Sequence, residues 1–242
     1  MDTTTRLMEF EQDGFALVDD VISASQREAL VNAVARRAIN SAGSRDLLEE
    51  PLCLELAVQL RRDPRLSQFM PASARAVQCT YFEKSADTNW LVAYHQDLAV
   101  PLKARKDSPA WSGWSEKGGV TFAIAPTAVL QSLVAVRVHL DASTRENGPL
   151  RVIAGSHGLG RVVPTDLERH RREGREVVCH GPQCSALVFR PLLLHASSKS
   201  DSWVPRRVLH FLFGPLLLPD DMAWHFADDS VPARPPSVKR PT

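Results

Sequence analysis

Four residues of this chain have the types and the order that oxygen chemistry at a metal ion requires. One residue separates His95 from Asp97, a lone His195 follows much later, and Arg206 lies eleven residues beyond it. Two imidazoles and one carboxylate form a facial triad, which leaves adjacent octahedral positions open for other ligands. A closed structural zinc site has no such open positions. The pattern therefore indicates an iron(II) oxygenase site.

The candidate metal ligands need strands to bring them together. If residues 91–97 form a β-strand, His95 and Asp97 lie on the same face and can hold one ion. His195 ends the apolar run of residues 189–195, whose length is typical of a strand. Taken alone, His-x-Asp also fits a satisfied histidine beside a solvated aspartate. The additional residues are what favour the metal site.

Three stretches of sequence resemble a known family. They are residues 89–97, residues 147–157, and His195 with the later Pro205-Arg206-Arg207. In order and spacing they resemble the phytanoyl-CoA dioxygenase family, whose relatives include the ectoine hydroxylases. The resemblance runs from about Phe10 to Phe213. It implies an enzyme that uses Fe(II), 2-oxoglutarate and O2 to oxidise an unactivated C–H bond, by hydroxylation or alternatively by desaturation or cyclisation.

The resemblance also implies roles for individual residues. The family's iron ligands fall on His95, Asp97 and His195. Its arginine that pairs with the far carboxylate of 2-oxoglutarate falls on Arg206, and a guanidinium suits this task because it binds a carboxylate in a bidentate manner. Arg207 would point to the opposite face of the same strand.

Two further positions match family residues. Gln78 matches a glutamine that contacts 2-oxoglutarate in the ectoine hydroxylases, although an amide that caps a neighbouring strand explains it equally well. Lys84 matches a family lysine and is expected to be exposed.

Short β-branched or aromatic stretches separated by turns predict a mainly β fold. Residues 1–75 read as helical support, residues 76–215 as a jelly-roll core (a cupin-like double-stranded β-helix), and residues 230–242 as a Pro-rich tail. Together they form a single oxygenase domain over 1–242. The predicted strands cover residues 76–82, 91–97, 133–140, 150–153, 176–179, 185–189, 192–196 and 208–213.

Composition and net charge limit the classes of molecule that this chain is expected to bind. The 242 residues are 44% hydrophobic with a net charge of +1, which disfavours nucleic acid or an anionic membrane as the main partner. The four cysteines show no CxxC spacing and no apolar run is long enough to cross a bilayer, so we expect reduced thiols and a cytoplasmic protein. The expected partner is a small-molecule substrate. The oligomeric state cannot be read from the sequence.

Two features are candidates for substrate contact. Residues 101–126 lack clear periodicity and contain Trp111 and Trp114, so they are expected to form an ordered lid. The two indoles would either contact the substrate or simply pack the long loop onto the core. On the predicted strand 133–140, alternation places Arg137 on a polar face. Arg137 would hold a substrate carboxylate or form a structural ion pair with a nearby acidic residue, Asp141 or Glu146.

Two other classes of protein fit the same pattern less well. One is a cupin-like metalloprotein that works without 2-oxoglutarate and does not need Arg206. The other is a non-catalytic ligand-binding jelly roll. For an oxygenase, the expected substrate is a small polar or amino-acid-like metabolite or a natural-product intermediate.

Overall fold

The computed structural model describes residues 3–36, 43–44, 47–85 and 88–226. The predicted Pro-rich tail, 230–242, lies outside these residues. Six α-helices are present in the described part of the chain, four of them before the main strands. They are α1 (Thr3–Asp13), α2 (Ala24–Arg36), α3 (Pro51–Arg62), α4 (Pro64–Ser67), α5 (Thr127–Ser132) and α6 (Leu167–Glu173). None of the described helices has the length and apolar character that a membrane crossing requires.

The strands of the described residues form three antiparallel sheets. The major sheet has the order β1-β11-β8-β13-β3-β2, the minor sheet β10-β9-β12-β4 and the third sheet β5-β7-β6. In chain order the strands are β1 (Phe15–Val18), β2 (Gly43–Ser44), β3 (Arg75–Lys84), β4 (Val92–His95), β5 (Ala99–Leu102), β6 (Ser112–Lys117), β7 (Val120–Ile124), β8 (Val134–His139), β9 (Leu150–Ile153), β10 (Glu176–Cys179), β11 (Ala186–Phe189), β12 (His195–Ser197) and β13 (Arg206–Gly214).

This architecture confirms the predicted fold class. The chain is mainly β with antiparallel sheets, and the sheets described here do not close into a barrel. Seven of the eight predicted strands have both ends within two residues of an observed strand. The eighth, 192–196, begins three residues before β12, and the predicted strand 91–97 continues two residues past the end of β4. Both differences affect the residues of the site.

The helices cover the outer face of the major sheet. On β8, alternation sends Val134, Val136 and Val138 to this face, where they join one apolar cluster with Leu30 of α2 and Leu56 of α3. All five side chains are buried. The opposite face of β8 is then free to carry polar side chains toward the minor sheet, which faces it across a cavity.

The apolar run before His195 is not a strand. Residues 190–194 form a tight connection in which the backbone N–H of Leu193 donates to the carbonyl of Arg190 at 2.8 Å. Pro191 has no backbone donor for a ladder, and the three leucines are buried without pairing. Burial of this connection explains why its composition resembled a strand. The observed strand β12 begins at His195.

An ion-pair network anchors the end of β8 to β13 and to α2. The Asp141 carboxylate accepts from Arg207 Nε at 2.7 Å and Nη2 at 2.8 Å, and from Arg27 Nη2 at 3.0 Å. Its Oδ2 also accepts the Arg207 backbone N–H at 2.9 Å. Arg207 is thereby held on the outer face of β13, so its neighbour Arg206 points inward. The prediction that the two arginines face opposite ways is confirmed.

We expect Asp141→Asn to lower the free energy of unfolding by about 1–3 kcal/mol, because it removes charge-assisted hydrogen bonds from two arginines. Denaturant unfolding at neutral pH measures this. Glu168→Gln is the matched control. Among the described residues this carboxylate forms a salt bridge with Arg171 alone, on the exposed surface of α6, and its loss should leave the free energy of unfolding nearly unchanged.

The pH dependence gives an independent check of the same contact. Burial opposes ionisation of Asp141, but the hydrogen bonds from Arg207 hold the pKa of its carboxyl below the usual range. Such a group stabilises the fold above its unfolded pKa, and this stability is lost as the pH falls through the folded value. The difference between the wild type and Asp141→Asn should therefore shrink below about pH 4. A constant difference would contradict the assignment.

Candidate functional site

Three side chains converge where the minor sheet faces the cavity. Asp97 Oδ1 lies 3.6 Å from His95 Nε2, and Asp97 Oδ2 lies 3.6 Å from His195 Nε2. One ligand atom from each residue lies within 4.8 Å of the other two, which is close enough for one ion. Among the described residues this is the one such group of His, Cys, Asp and Glu side chains.

Strand pairing sets the positions of the two histidines. His195 of β12 pairs directly with His95 of β4, and the ring centroids are 4.2 Å apart. Two residues further along β12, Ser197 pairs with Val92, so β4 contains one extra residue between the two pairs. This bulge allows Val92 and His95 both to face the cavity although three positions separate them.

Asp97 reaches the site from outside the strand. Strand β4 ends at His95, and the backbone N–H of Asp97 donates instead to the carbonyl of Pro191 at 3.0 Å. Between them, the Gln96 amide donates to the carbonyls of Gly160 and Leu192 and accepts from a backbone N–H. The prediction that a continuous strand presents His95 and Asp97 was wrong. A tethered turn after the strand does so.

Backbone hydrogen bonds orient both imidazoles for metal binding. His95 Nδ1 lies 2.9 Å from the carbonyl of Ala93, and His195 Nδ1 lies 2.8 Å from the carbonyl of Leu193. A carbonyl oxygen can only accept, so each Nδ1 carries a proton and each Nε2 is the ring nitrogen available to a metal. This arrangement is the usual support for a metal-bound histidine.

Protonation of the site also suits a cation. Burial lowers the pKa of His195 to about 4, so its imidazole is neutral at neutral pH. Burial would raise the pKa of Asp97, but the adjacent His195 and His95 imidazoles hold it well below the usual range. Burial opposes protonation of His95, but the Asp97 carboxylate raises its pKa above the ordinary value, so a bound cation would displace a proton from this imidazole. Two imidazoles and one ionised carboxylate fit a divalent iron.

The triad opens into a cavity of about 410 Å³ between the sheets. This size is within the usual range for small-molecule sites. The cavity wall provided by the major sheet is polar and follows the inward residues of β3, β8 and β13. Its members are Gln78, Thr80, Phe82, Lys84, Arg137, Arg206, His210 and Leu212.

Arg206 lies on this wall, where the sequence predicted it. The residue is 2% exposed, and its Nε donates to the carbonyl of Asn147 at 3.1 Å. Its terminal nitrogens make no hydrogen bond to any described residue. Burial lowers the pKa of Arg206 to about 10, so the guanidinium stays charged at neutral pH. A cation that faces a cavity without an anion is a binding group for a negatively charged ligand.

Gly148 allows the loop that holds Arg206 in place. Its φ is +67°, and a Cβ at this position would lie 2.5 Å from the carbonyl oxygen of Ser198. Neither the backbone conformation nor the space admits another residue. The tight turn fixes the Asn147 carbonyl against the guanidinium of Arg206.

Lys84 is buried, contrary to the expectation that it is exposed. It is 1% exposed, pairs across strands with Arg206 and donates to Ser197 Oγ at 2.7 Å and to the carbonyl of Ser198. Burial, followed by the charges of Arg206 and Arg137, lowers its pKa to about 7. Strand alternation from Gln78 already places Lys84 on the inner face, which was the available signal.

Gln78 lines the cavity but does not lie beside Arg206. Its amide donates to Thr80 Oγ1 at 2.8 Å, and it is paired with Leu212 at the opposite end of the shared strand register. Its amide does not cap a neighbouring strand, because Thr80 belongs to the same strand, β3. Its position on the cavity wall leaves contact with 2-oxoglutarate as a prediction.

The predicted lid is an ordered sheet, but the tryptophans do not line the cavity. Trp111 is buried and donates from Nε1 to Asp220 at 3.1 Å, and Trp114 packs on the same apolar cluster. Both expectations of substrate contact are corrected. Three other residues of the segment line the cavity instead, namely Lys117, Phe122 and Ile124. Sequence analysis missed them because the short β6–β7 hairpin was read as a loop.

Arg137 and His210 complete the inner wall. They pair across β8 and β13. The sequence analysis missed His210, although alternation from Arg206 along β13 would have found it. Arg137 forms no ion pair with Asp141, which is committed to Arg207 and Arg27, or with any other acidic residue of the described chain. The alternative of a structural ion pair is therefore wrong.

Comparison with known proteins agrees with this geometry. A sequence profile of the family described as phytanoyl-CoA dioxygenase (PhyH) matches residues 10–208. Curated proteins gave no match.

Solved structures share the fold. EctD from S. alaskensis with 2-oxoglutarate and 5-hydroxyectoine is 16% identical with a TM-score of 0.64, over 95% of this chain and 84% of that one. The non-haem alpha-ketoglutarate-dependent epimerase SnoN from nogalamycin biosynthesis is 16% identical with a TM-score of 0.64, over 88% and 82%. HygX from Streptomyces hygroscopicus, with nickel and 2-oxoglutarate bound, is 17% identical with a TM-score of 0.61, over 90% and 88%. At these identities the likeness shows the fold alone.

The triad predicts the effect of removing one ligand. We expect His195→Ala to weaken iron(II) binding by more than ~100-fold, because it removes one of the three metal ligands. Loss of a residue that only hydrogen-bonds to a ligand already weakens binding by ~10–100-fold. Anaerobic titration with iron(II) measures it. His180→Ala, at an exposed histidine, is the control and should bind as the wild type does. Equal affinity in His195→Ala would rule out this site.

Proposed function

We propose that this chain, which belongs to the phytanoyl-CoA dioxygenase family and is therefore an oxygenase, uses iron(II), 2-oxoglutarate and O2 to oxidise an unactivated C–H bond of a small molecule. Hydroxylation is the proposed outcome. We assign residues 1–242 to a single domain for this activity. One observation carries the proposal: a metal-binding triad and an unpaired buried guanidinium, Arg206, face each other across one cavity.

The triad would hold the iron. His95 and His195 would each supply Nε2, and Asp97 would supply a carboxylate that partly offsets the charge of the ion. When bound together, iron(II) and 2-oxoglutarate supply with O2 an oxidant able to take a hydrogen atom from an unactivated carbon. The protein's task is then to fix these groups in place and keep the oxidant near one carbon of the substrate.

Arg206 would hold the far carboxylate of 2-oxoglutarate. Its guanidinium is buried at the end of the cavity nearest Lys84 and Ser197, and the Asn147 carbonyl restrains it through Nε. The restrained fork leaves two terminal nitrogens for a bidentate contact, which a lysine could not reproduce. Gln78 faces the same cavity from the other end of the register. We place it at the metal-bound end of the cosubstrate.

The substrate would lie against the third sheet. The wall that this sheet provides is mainly apolar, with Val100, Phe122 and Ile124, and it carries one cation, Lys117. A small metabolite with an apolar reacting portion fits such a wall. In related folds, EctD was crystallised with 5-hydroxyectoine and SnoN acts in nogalamycin biosynthesis, which supports an amino-acid-like compound or a natural-product intermediate as the class.

Cosubstrate binding tests the assignment of Arg206. Anaerobic protein with iron(II) and 2-oxoglutarate should develop a metal-to-ligand charge-transfer absorbance. Arg206→Ala should raise the dissociation constant for 2-oxoglutarate by about 10–100-fold, because a charge-assisted contact is lost. Arg207→Ala should change it far less, since Arg207 binds Asp141 on the outer face. If Arg207→Ala weakened binding more than Arg206→Ala, the carboxylate contact would have to be reassigned to Arg207. Absence of the absorbance band with iron bound would refute the proposal.

Turnover tests the reaction class. The purified protein should form succinate from 2-oxoglutarate in a reaction that requires iron(II) and O2, and Asp97→Ala should lack it because the metal site is incomplete. Fractions of a metabolite extract that increase succinate release contain the substrate. Succinate formation at the same rate in Asp97→Ala and the wild type would place the activity outside this site.

A further inference from the structure

Arg137 is a buried cation without an anionic partner. It is 8% exposed and forms no hydrogen bond or ion pair with any described residue. Its guanidinium lies over the ring of Phe82, 5.6 Å from the centroid. This contact holds the side chain in position but does not neutralise its charge. Burying such a group without an anion is unfavourable, so its presence on a cavity wall indicates a ligand.

Strand register places the Arg137 guanidinium on the same cavity wall as Arg206. Along β13, Arg206 pairs with Lys84, Val208 with Phe82, and His210 with Arg137. The backbone of Arg137 is therefore about 13 Å along the sheet from the row of Arg206, at ~3.3 Å per residue. The guanidinium extends from that row over Phe82, which pairs with Val208 between the rows of Arg137 and Arg206. Together with burial, the charge of Arg206 contributes to the lowered pKa of Arg137, which agrees with this placement.

The charges of the cavity favour an anionic ligand. Two guanidiniums, Arg137 and Arg206, lie on one wall together with Lys84, whose pKa of about 7 leaves it partly charged at neutral pH. Asp97 is the single acidic residue among the cavity-lining side chains described, and as the proposed iron ligand it cannot balance the wall. Burial and the charge of Arg206 lower the pKa of Arg137 to about 9, so its guanidinium is charged at neutral pH. An anion bound between the two guanidiniums would offset their mutual repulsion.

From these observations we infer that Arg137 is a second guanidinium for the far carboxylate of 2-oxoglutarate, acting beside Arg206. This inference rests on the proposed function and deepens it. Two guanidiniums and Lys84 around one carboxylate make the site selective for a dicarboxylic 2-oxo acid over a monocarboxylic one. Arg137 is then a cosubstrate residue, in contrast to the sequence-based expectation of a substrate contact.

A comparison of two 2-oxo acids tests this role. 2-Oxopentanoate has the same chain length as 2-oxoglutarate but lacks the second carboxylate. In anaerobic titrations of the iron(II) protein, Arg137→Met should weaken 2-oxoglutarate binding by about 10–100-fold. It should change 2-oxopentanoate binding by less than about twofold, because the metal-bound end is untouched. Arg137→Lys keeps the charge and should give an intermediate loss.

The matched control is Arg151→Met. Arg151 is also a strand arginine stacked on an aromatic ring, that of Tyr94, but it pairs with Glu176 and does not line this cavity. This variant should bind both acids within about twofold of the wild type. Equal weakening of both acids in Arg137→Met would place Arg137 at the metal-bound end, and unchanged binding of 2-oxoglutarate would assign it to another molecule. Either result overturns the inference.

Failure of the proposed function gives a different result, since the wild type would then show no charge-transfer band with either acid while iron is bound.

Thermal unfolding of the metal-free proteins separates an effect on binding from an effect on the stability of the fold. Arg137→Met should unfold at the same or a higher temperature than the wild type, because it removes repulsion between buried cations. A larger decrease than in Arg151→Met would show a structural role and contradict the inference.

Discussion

The pairing of His195 with His95 is the interaction on which the site depends. Strand β12 lies between β9 and β4, so its register is fixed from both sides. A shift by one residue would turn His195 to the outer face and leave Asp97 with a single imidazole. The same register carries Ser197 to Lys84 at the other end of the cavity. One short strand therefore fixes the position of the metal ligand His195 relative to Lys84 on the opposite wall of the cavity.

The second constraint is electrostatic. The major sheet buries three basic side chains on its inner face, which is unfavourable, and the apolar cluster between its outer face and the helices stabilises the fold against this cost. The Asp141 network lies on that outer face and fixes the orientation of Arg206 through its neighbour Arg207. Residues far from the cavity thus determine which cation enters it. Such a preorganised wall binds an anion without first having to rearrange.

The residues that the sequence identified and those that it missed differ in a physical way. His95, Asp97, His195 and Arg206 could be found because their chemistry is explicit and a family pattern orders them. Other features depend on contacts between distant segments. Lys84 resembled a surface residue because the groups that accept its hydrogen bonds, Ser197 Oγ and the carbonyl of Ser198, are more than 100 residues away in the sequence. Arg137 lacks an ion pair because Asp141 pairs with Arg207 and Arg27. The run 190–194 resembled a strand because burial alone does not distinguish a packed connection from a ladder.

The third sheet explains how one cavity can serve two ligands of different character. It lines the cavity with the apolar side chains of Val100, Phe122 and Ile124 and with one cation, Lys117. A carboxylate placed against the three apolar side chains would lose its hydration without compensation, whereas Arg137 and Arg206 of the major sheet can pair with it. A carbon chain has the opposite preference. Under the proposed function, the two guanidiniums of the major sheet would hold the anionic cosubstrate, and the apolar side chains of the third sheet would hold the carbon to be oxidised.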